Sequence, residues 1–113
     1  MSKLFSPWML GPMTLENRIV IAPMCQYSAV DGNAQDWHII HLGNLALSGA
    51  GMLVIEATAV SPEGRITPSD LGLYSDENEA ALKRVMDAVT KHAISPMVIQ
   101  LAHAGRKASS QAP

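Results

Sequence analysis

The sequence predicts an α/β fold with a parallel sheet, and three observations carry that prediction. Segments 19–24, 52–57 and 97–102 are apolar on nearly consecutive positions rather than alternating, as strands buried on both faces are. Two stretches of helical periodicity lie between them. The spacings from Cys25 to Ala57 and from Ala57 to Gln100 are those of successive βα units, and strands alternating with helices imply parallel pairing.

Each element has a local cause. Residues 4–18 read as a hairpin, because Trp8-Met9-Leu10 and Met13-Thr14-Leu15 flank Gly11-Pro12, a strong turn dipeptide. In the first buried strand, Pro23 lacks an N–H for the ladder, so pairing is expected to stop near it. Asp31-Gly32-Asn33 signals a loop, and Asp36 is the expected cap of a helix over 37–48 with Ile39, Leu42, Leu45 and Ala46 on one face. Gly49 and Gly51 end that helix. Residues 58–75 read as a long polar loop. A second helix is expected after Asp76, with Glu79 completing a capping box. Its apolar face is Leu82, Val85, Met86 and Val89, and Glu79–Lys83 and Asp87–Lys91 are its expected i,i+4 pairs. Pro96 precedes the third strand, and His103-Ala104-Gly105-Arg106-Lys107 follows as a basic turn.

Composition narrows the class. The 113 residues are 48% apolar and 16% charged, which excludes a disordered tail. A net charge of −2 argues against a nucleic-acid partner, which would call for clustered basic residues. One cysteine, Cys25, excludes a disulfide framework and a cysteine-based zinc site. No apolar run reaches the roughly 20 residues of a spanning helix, and the N-terminus lacks a signal-peptide core. The expectation is a soluble, cytoplasmic segment without a membrane partner. Three strands and two helices leave two open sheet edges, so the apolar strands need partners beyond these 113 residues.

Chemistry in parallel α/β folds sits at the C-terminal ends of the strands. Those ends carry Cys25 and Tyr27, then Glu56, Ala57 and Thr58, then Gln100, His103, Arg106 and Lys107. A free cysteine is often only a small buried hydrophobe, and that reading of Cys25 stands beside a role in a site. Gln100 interrupts an apolar run, and a buried amide must be satisfied. Its two donors and one acceptor match a planar heterocycle with a carbonyl next to a ring nitrogen, such as the pyrimidine edge of a flavin. A bond to a neighbouring strand or loop is the alternative. His38-x-x-His41 has chelating spacing on a helix, but no third ligand is evident, so helix packing or loop anchoring is the default and no metal is expected. Arg106-Lys107 can grip a phosphate or carboxylate, or simply be solvated.

Taken together, these residues resemble the Old Yellow Enzyme family of FMN-dependent NADPH dehydrogenases, ene-reductases and xenobiotic reductases. The motifs are Asn17-Arg18-Ile19-Val20, Ala22-Pro23-Met24-Cys25-Gln26-Tyr27, Val54-Ile55-Glu56-Ala57-Thr58-Ala59-Val60, Glu63-Gly64-Arg65-Ile66-Thr67 and Gln100-Leu101-Ala102-His103-Ala104-Gly105-Arg106-Lys107. They run in the family's order from residue 4 to 109. The likeness is closest to the bacterial branch with a cysteine beside the flavin.

The resemblance implies the hairpin and first three strands of a (β/α)8 TIM barrel, with residues 1–113 the N-terminal part of a single domain and the rest of the barrel absent from this chain. It implies FMN reduced by NADPH or NADH, and hydride transfer from flavin N5 to an activated alkene such as an enone. Ala22, Pro23, Met24, Cys25, Ala57 and Gln100 would contact the flavin. Cys25 would tune its potential rather than act as a catalytic residue, none being assigned within the chain. Tyr27, Ile66 and Ala102 would meet substrate. The implied partners are the remaining barrel segment, on the same or a separate polypeptide, the small-molecule alkene, and further copies of the complete enzyme in a homo-oligomer. Two alternatives stand beside this reading. One is a dienoyl-CoA-reductase-like member of the family; the other is a non-catalytic fragment that associates through its open sheet edges.

Overall fold

A computed structural model describes residues 2–108 and 110–113. Met1, where the N-terminal reading starts, and Ser109, where the resemblance ends, lie outside them. The hairpin forms as expected. Strands β1 (Trp8–Leu10) and β2 (Met13–Leu15) pair antiparallel with Trp8 opposite Leu15. Gly11 turns the chain at a φ of 57°, a left-handed value that glycine adopts without steric cost. Leu15 alone of the hairpin is fully buried.

The main sheet is parallel. Strand β4 (Met52–Ala59) is central, with β3 (Val20–Ile21) on one side and β6 (Met97–Ala102) on the other. Where β3 ends, a two-residue strand β5 (Leu71–Gly72) takes its place beside the C-terminal end of β4. Helices α1 (Asp36–Ala46) and α2 (Asp76–Thr90) pack against this sheet. The core joins Leu42 and Ala46 of α1, Leu53 and Ile55 of β4, Leu71, and Val85 and Val89 of α2.

Several sequence expectations need correction. The first strand spans two residues rather than six, and Val20 is exposed, because among the described residues it pairs with β4 alone. Strand β4 runs two residues beyond the expected end, since β5 and β6 pair with Thr58 and Ala59 there. Both helix caps lie one residue earlier than expected. Gln35 caps α1, and its N–H donates to Nδ1 of His38 at 2.9 Å. Ser75 caps α2, its Oγ accepting the Asn78 N–H at 3.1 Å. Helix α1 stops at Ala46 rather than at residue 48, and Ser48 Oγ donates to the Leu45 carbonyl. On α2 the ion pairs are Lys83–Asp87 and, to α1, Arg84–Asp36, not the two pairs expected. The loop after β4 is less exposed than its polar sequence suggests: Thr67, Asp70 and Leu71 are buried.

Gln100 is exposed, contrary to the buried amide expected. It lies on β6, an outer strand of the sheet among the described residues, and nothing there covers it.

Candidate functional site at the strand ends

Parallel order brings the C-terminal ends of β3, β4 and β6 to one end of the sheet. The ladder between β4 and β6 is broken there. Ile55 pairs with Ile99 and Thr58 with Leu101, so Glu56 and Ala57 together stand opposite Gln100. Such a bulge bends the strand and re-aims side chains, and bulges cluster beside functional sites. Three residues singled out from the sequence therefore meet at one irregularity.

The segment after β3 is held by side chains rather than by a ladder. The Gln26 N–H donates to Glu56 Oε2 at 2.9 Å. The Gln26 side chain donates to the Met24 carbonyl at 3.0 Å and accepts from Trp37 Nε1 at 3.1 Å. Tyr27 follows with a φ of 52°, a left-handed conformation that is costly for a large side chain. Downstream, Asp31 and Gly32 both have positive φ between the paired Val30 and Asn33, as a type I′ turn requires. Asn78 secures that turn from α2, donating to the Asp31 carbonyl and to Asn33 Oδ1.

Cys25 is half-buried. Burial pushes its thiol up, and the negative charges of Asp70 and Glu56 push the same way against the opposing Ala57 and Cys25 backbone N–H groups. This is the environment of a neutral thiol, not of the thiolate a nucleophile needs. Asp70 is buried because it serves the loop: its carboxylate accepts from the Ile66 N–H at 3.0 Å and from Thr67 Oγ1 at 2.7 Å.

The candidate residues fall into two neighbouring groups with Ala57 and its bulge between them. Ala22, Met24 and Tyr27 are exposed and Pro23 and Cys25 half-buried on the β3 side. On the β6 side Ile66, Gln100 and Ala102 line an open cavity of about 470 Å³ together with His103 and Lys107. Arg106 is exposed. A more enclosed cavity of about 180 Å³ lies at the opposite end of the sheet, among Ala46, Ala50, Ile94 and Pro96. That end of a parallel α/β sheet serves stability rather than chemistry.

Sequence reasoning missed the buried pair of His38 and Glu56, whose Nε2 and Oε1 are 3.2 Å apart. His38 Nδ1 accepts the Gln35 N–H and Nε2 faces Glu56, so the histidine ties the start of α1 to β4. The signal was present, since a glutamate inside an apolar strand demands buried donors. His41 stacks on Trp37 with ring centroids 6.2 Å apart. Burial lowers its pKa, Glu56 opposes that, and His38 adds to it.

Comparison with known proteins places the chain in a flavin oxidoreductase family. Residues 3–112 match the model of the NADH:flavin oxidoreductase / NADH oxidase family. An NADPH dehydrogenase of Listeria monocytogenes is 52% identical over 110 residues, covering 96% of this chain and 32% of its own length. An NADH:flavin oxidoreductase of Gibberella zeae is 48% identical over 113 residues, covering 99% of this chain and 27% of its own. The chain thus spans about a third or less of these relatives. Among solved structures, morphinone reductase in complex with tetrahydroNAD superposes with a TM-score of 0.82 at 32% identity, covering 96% of this chain and 29% of that one. The old yellow enzyme from Trypanosoma cruzi gives 0.80 at 33% identity, covering 94% and 28%. The hairpin and the β3–β4–β6 sheet with its two helices have the fold of the corresponding part of these barrels. The chain belongs to the NADH:flavin oxidoreductase / NADH oxidase family, the family of the old yellow enzymes and morphinone reductase.

Proposed function

We propose that this chain supplies one side of the FMN pocket of an NAD(P)H-dependent oxidoreductase that reduces activated C=C bonds. In this reading residues 1–113 are the N-terminal part of one barrel domain, completed by further strands on the same or a separate polypeptide. The observation that carries it is the gathering of Cys25, Ala57 and Gln100 at one end of three neighbouring parallel strands, within a match to the flavin family that spans residues 3–112.

The donor set fits the cofactor. Gln100 presents an exposed primary amide, which can donate to a carbonyl and accept from a ring N–H at once. Ala22 and Ala57 are small and neutral, suited to the face of a planar ring. FMN, when bound, supplies the hydride chemistry between NADPH or NADH and the alkene, while the protein supplies orientation and electronic tuning. Gln100 binds and orients the pyrimidine edge. Ala22, Pro23, Met24 and Ala57 support the ring. Cys25, held as a neutral thiol, would tune the potential of the bound flavin. Tyr27 meets the substrate, and Ile66 and Ala102 shape its pocket.

The test is made on the full-length polypeptide that contains this chain. Purified protein is expected to be yellow, to bleach with NADPH or NADH under anaerobic conditions, and to regain its colour on addition of an enone such as cyclohexenone. A colourless protein that takes up no FMN overturns the proposal. So does a flavin that neither nicotinamide reduces, or one that reoxidises no faster with the enone than without it.

A further inference from the structure

Glu56 is the buried polar residue that the flavin pocket leaves without a role. It is 4% exposed in a strand of aliphatic neighbours, and a carboxylate there is costly unless donors meet it. Two groups face it. Oε2 accepts the Gln26 N–H at 2.9 Å. Oε1 lies 3.2 Å from Nε2 of His38 without meeting the geometry of a hydrogen bond. The orientation of His38 is itself set. Its Nδ1 accepts the Gln35 N–H at the start of α1, so in the neutral ring the proton sits on Nε2 and faces Glu56.

What Glu56 holds is the turn that carries two of the pocket residues. Gln26 stands between Cys25 and Tyr27, and its N–H is the backbone group that Glu56 takes. Tyr27 keeps its left-handed φ of 52° only if the chain on either side leaves it no relaxed alternative. Ser28 Oγ donates to the Gln26 carbonyl at 2.9 Å, and the Ala29 N–H donates to the Ser69 carbonyl at 3.0 Å, so the downstream side is tied as well. The bulge that breaks the β4 ladder falls at Glu56 and Ala57, where side chains leave the regular alternation.

We propose that Glu56, set by His38, is a positioning residue that clamps the Gln26 amide and thereby fixes Cys25 and Tyr27 in the pocket. The proposal rests on the flavin-pocket reading above. Its chemistry explains why a carboxylate stands there. Oε2 accepts a backbone N–H and Oε1 faces the imidazole edge of His38. Glutamine has a single acceptor oxygen, and its amino group would confront a donor.

The experiment uses the full-length, FMN-loaded enzyme and the variants Glu56→Gln and His38→Asn. The asparagine keeps an acceptor toward Gln35 but loses the group that faces Glu56, and it carries the test if Glu56→Gln does not fold. Hydrogen exchange of the peptide spanning residues 24–28 is expected to quicken by about tenfold or more in Glu56→Gln, and less in His38→Asn. A peptide from the middle of β4 stays within about twofold. With FMN still bound, the flavin reduction potential shifts and the KM for an enone rises. Unchanged exchange at 24–28 in both variants overturns the clamp. So does equal acceleration across the protein, or local acceleration with potential and KM unmoved. A wild-type protein that holds no FMN overturns the flavin reading and this proposal together, whereas unchanged exchange in a yellow protein overturns the clamp alone.

Discussion

At the scale of the residue, burial first and then the charges of Asp70 and Glu56 hold the Cys25 thiol in its protonated form. In the complete enzyme, Cys25→Ala or Cys25→Ser is expected to leave FMN bound and alkene reduction measurable. The flavin potential and the balance of the two half-reactions shift, which stopped-flow timing of NADPH reduction and enone reoxidation reads separately. Loss of all turnover with flavin in place would make Cys25 essential chemistry. The raised thiol also has a signed effect on stability. Its contribution is complete below the unfolded thiol pKa and is lost as pH rises through the folded one. Melting temperature should therefore fall on the alkaline side in wild type, and fall less steeply in Cys25→Ala. Gln100 is the opposite kind of residue, an exposed amide. Replacing it by leucine keeps the size and removes the hydrogen bonds, at about 1–3 kcal/mol for a partner left unsatisfied. FMN affinity should drop by about tenfold or more. Unchanged affinity and an unchanged flavin spectrum would return Gln100 to the fold.

At the scale of the element, the end of the sheet opposite the site depends on one asparagine. Asn17 donates from Nδ2 to the Gly49 carbonyl at 2.7 Å and accepts at Oδ1 from the Gly51 N–H at 2.8 Å and the Ile19 N–H at 3.0 Å. It thus welds the approach to β3 to the turn between α1 and β4. Gly51 is required by that closeness, since a Cβ there would stand 2.2 Å from the Asn17 carbonyl oxygen. Asn17→Ala leaves the buried Gly51 N–H without its acceptor, a loss of about 1–3 kcal/mol. A thermal melt of the full-length protein should show a drop of several degrees, with flavin spectrum and turnover at permissive temperature unchanged. Gly51→Ala should be worse, because backbone has to move. A melting temperature unaffected by either variant would mean the weld contributes nothing.

At the scale of the whole molecule, the sheet is open. Val20 on β3 is 44% exposed and Leu101 on β6 is 58% exposed, and unpaired strand edges recruit other chains. Trp8, Met9 and Leu10 of the hairpin are exposed too. Residues 1–113 expressed alone are expected to be oligomeric, aggregated or without a cooperative melt, and to retain no FMN. Co-expression with the remaining barrel segment should restore a yellow complex. Size-exclusion chromatography with an absorbance trace across the flavin band checks both. A monomeric, cooperatively melting, yellow 12.1 kDa species would refute the expectation. Soluble oligomers that never take up flavin with the missing segment supplied would favour a non-catalytic fragment.

By itself, the sequence determined what periodicity and local chemistry can encode. Leu42, Ala46, Val85 and Val89 mark the buried helix faces, the apolar run ahead of Glu56 marks the central strand, Gly11 and Gly32 mark turns, and the order of motifs marks the family. Its errors are those local signals cannot correct. Asp36 and Asp76 look like caps, but Gln35 and Ser75 hold that position because the packed helices begin one residue earlier. The apolar run from Ile19 to Met24 reads as a two-faced strand, yet only two residues pair, since burial belongs to a neighbour and not to the segment. Only tertiary structure decided that Gln100 faces open space, that the β4 ladder breaks at Glu56 and Ala57, and that His38 and Glu56 meet. Those depend on contacts between residues far apart in the chain, where the cost of a buried carboxylate is settled by whichever donors the fold brings to it.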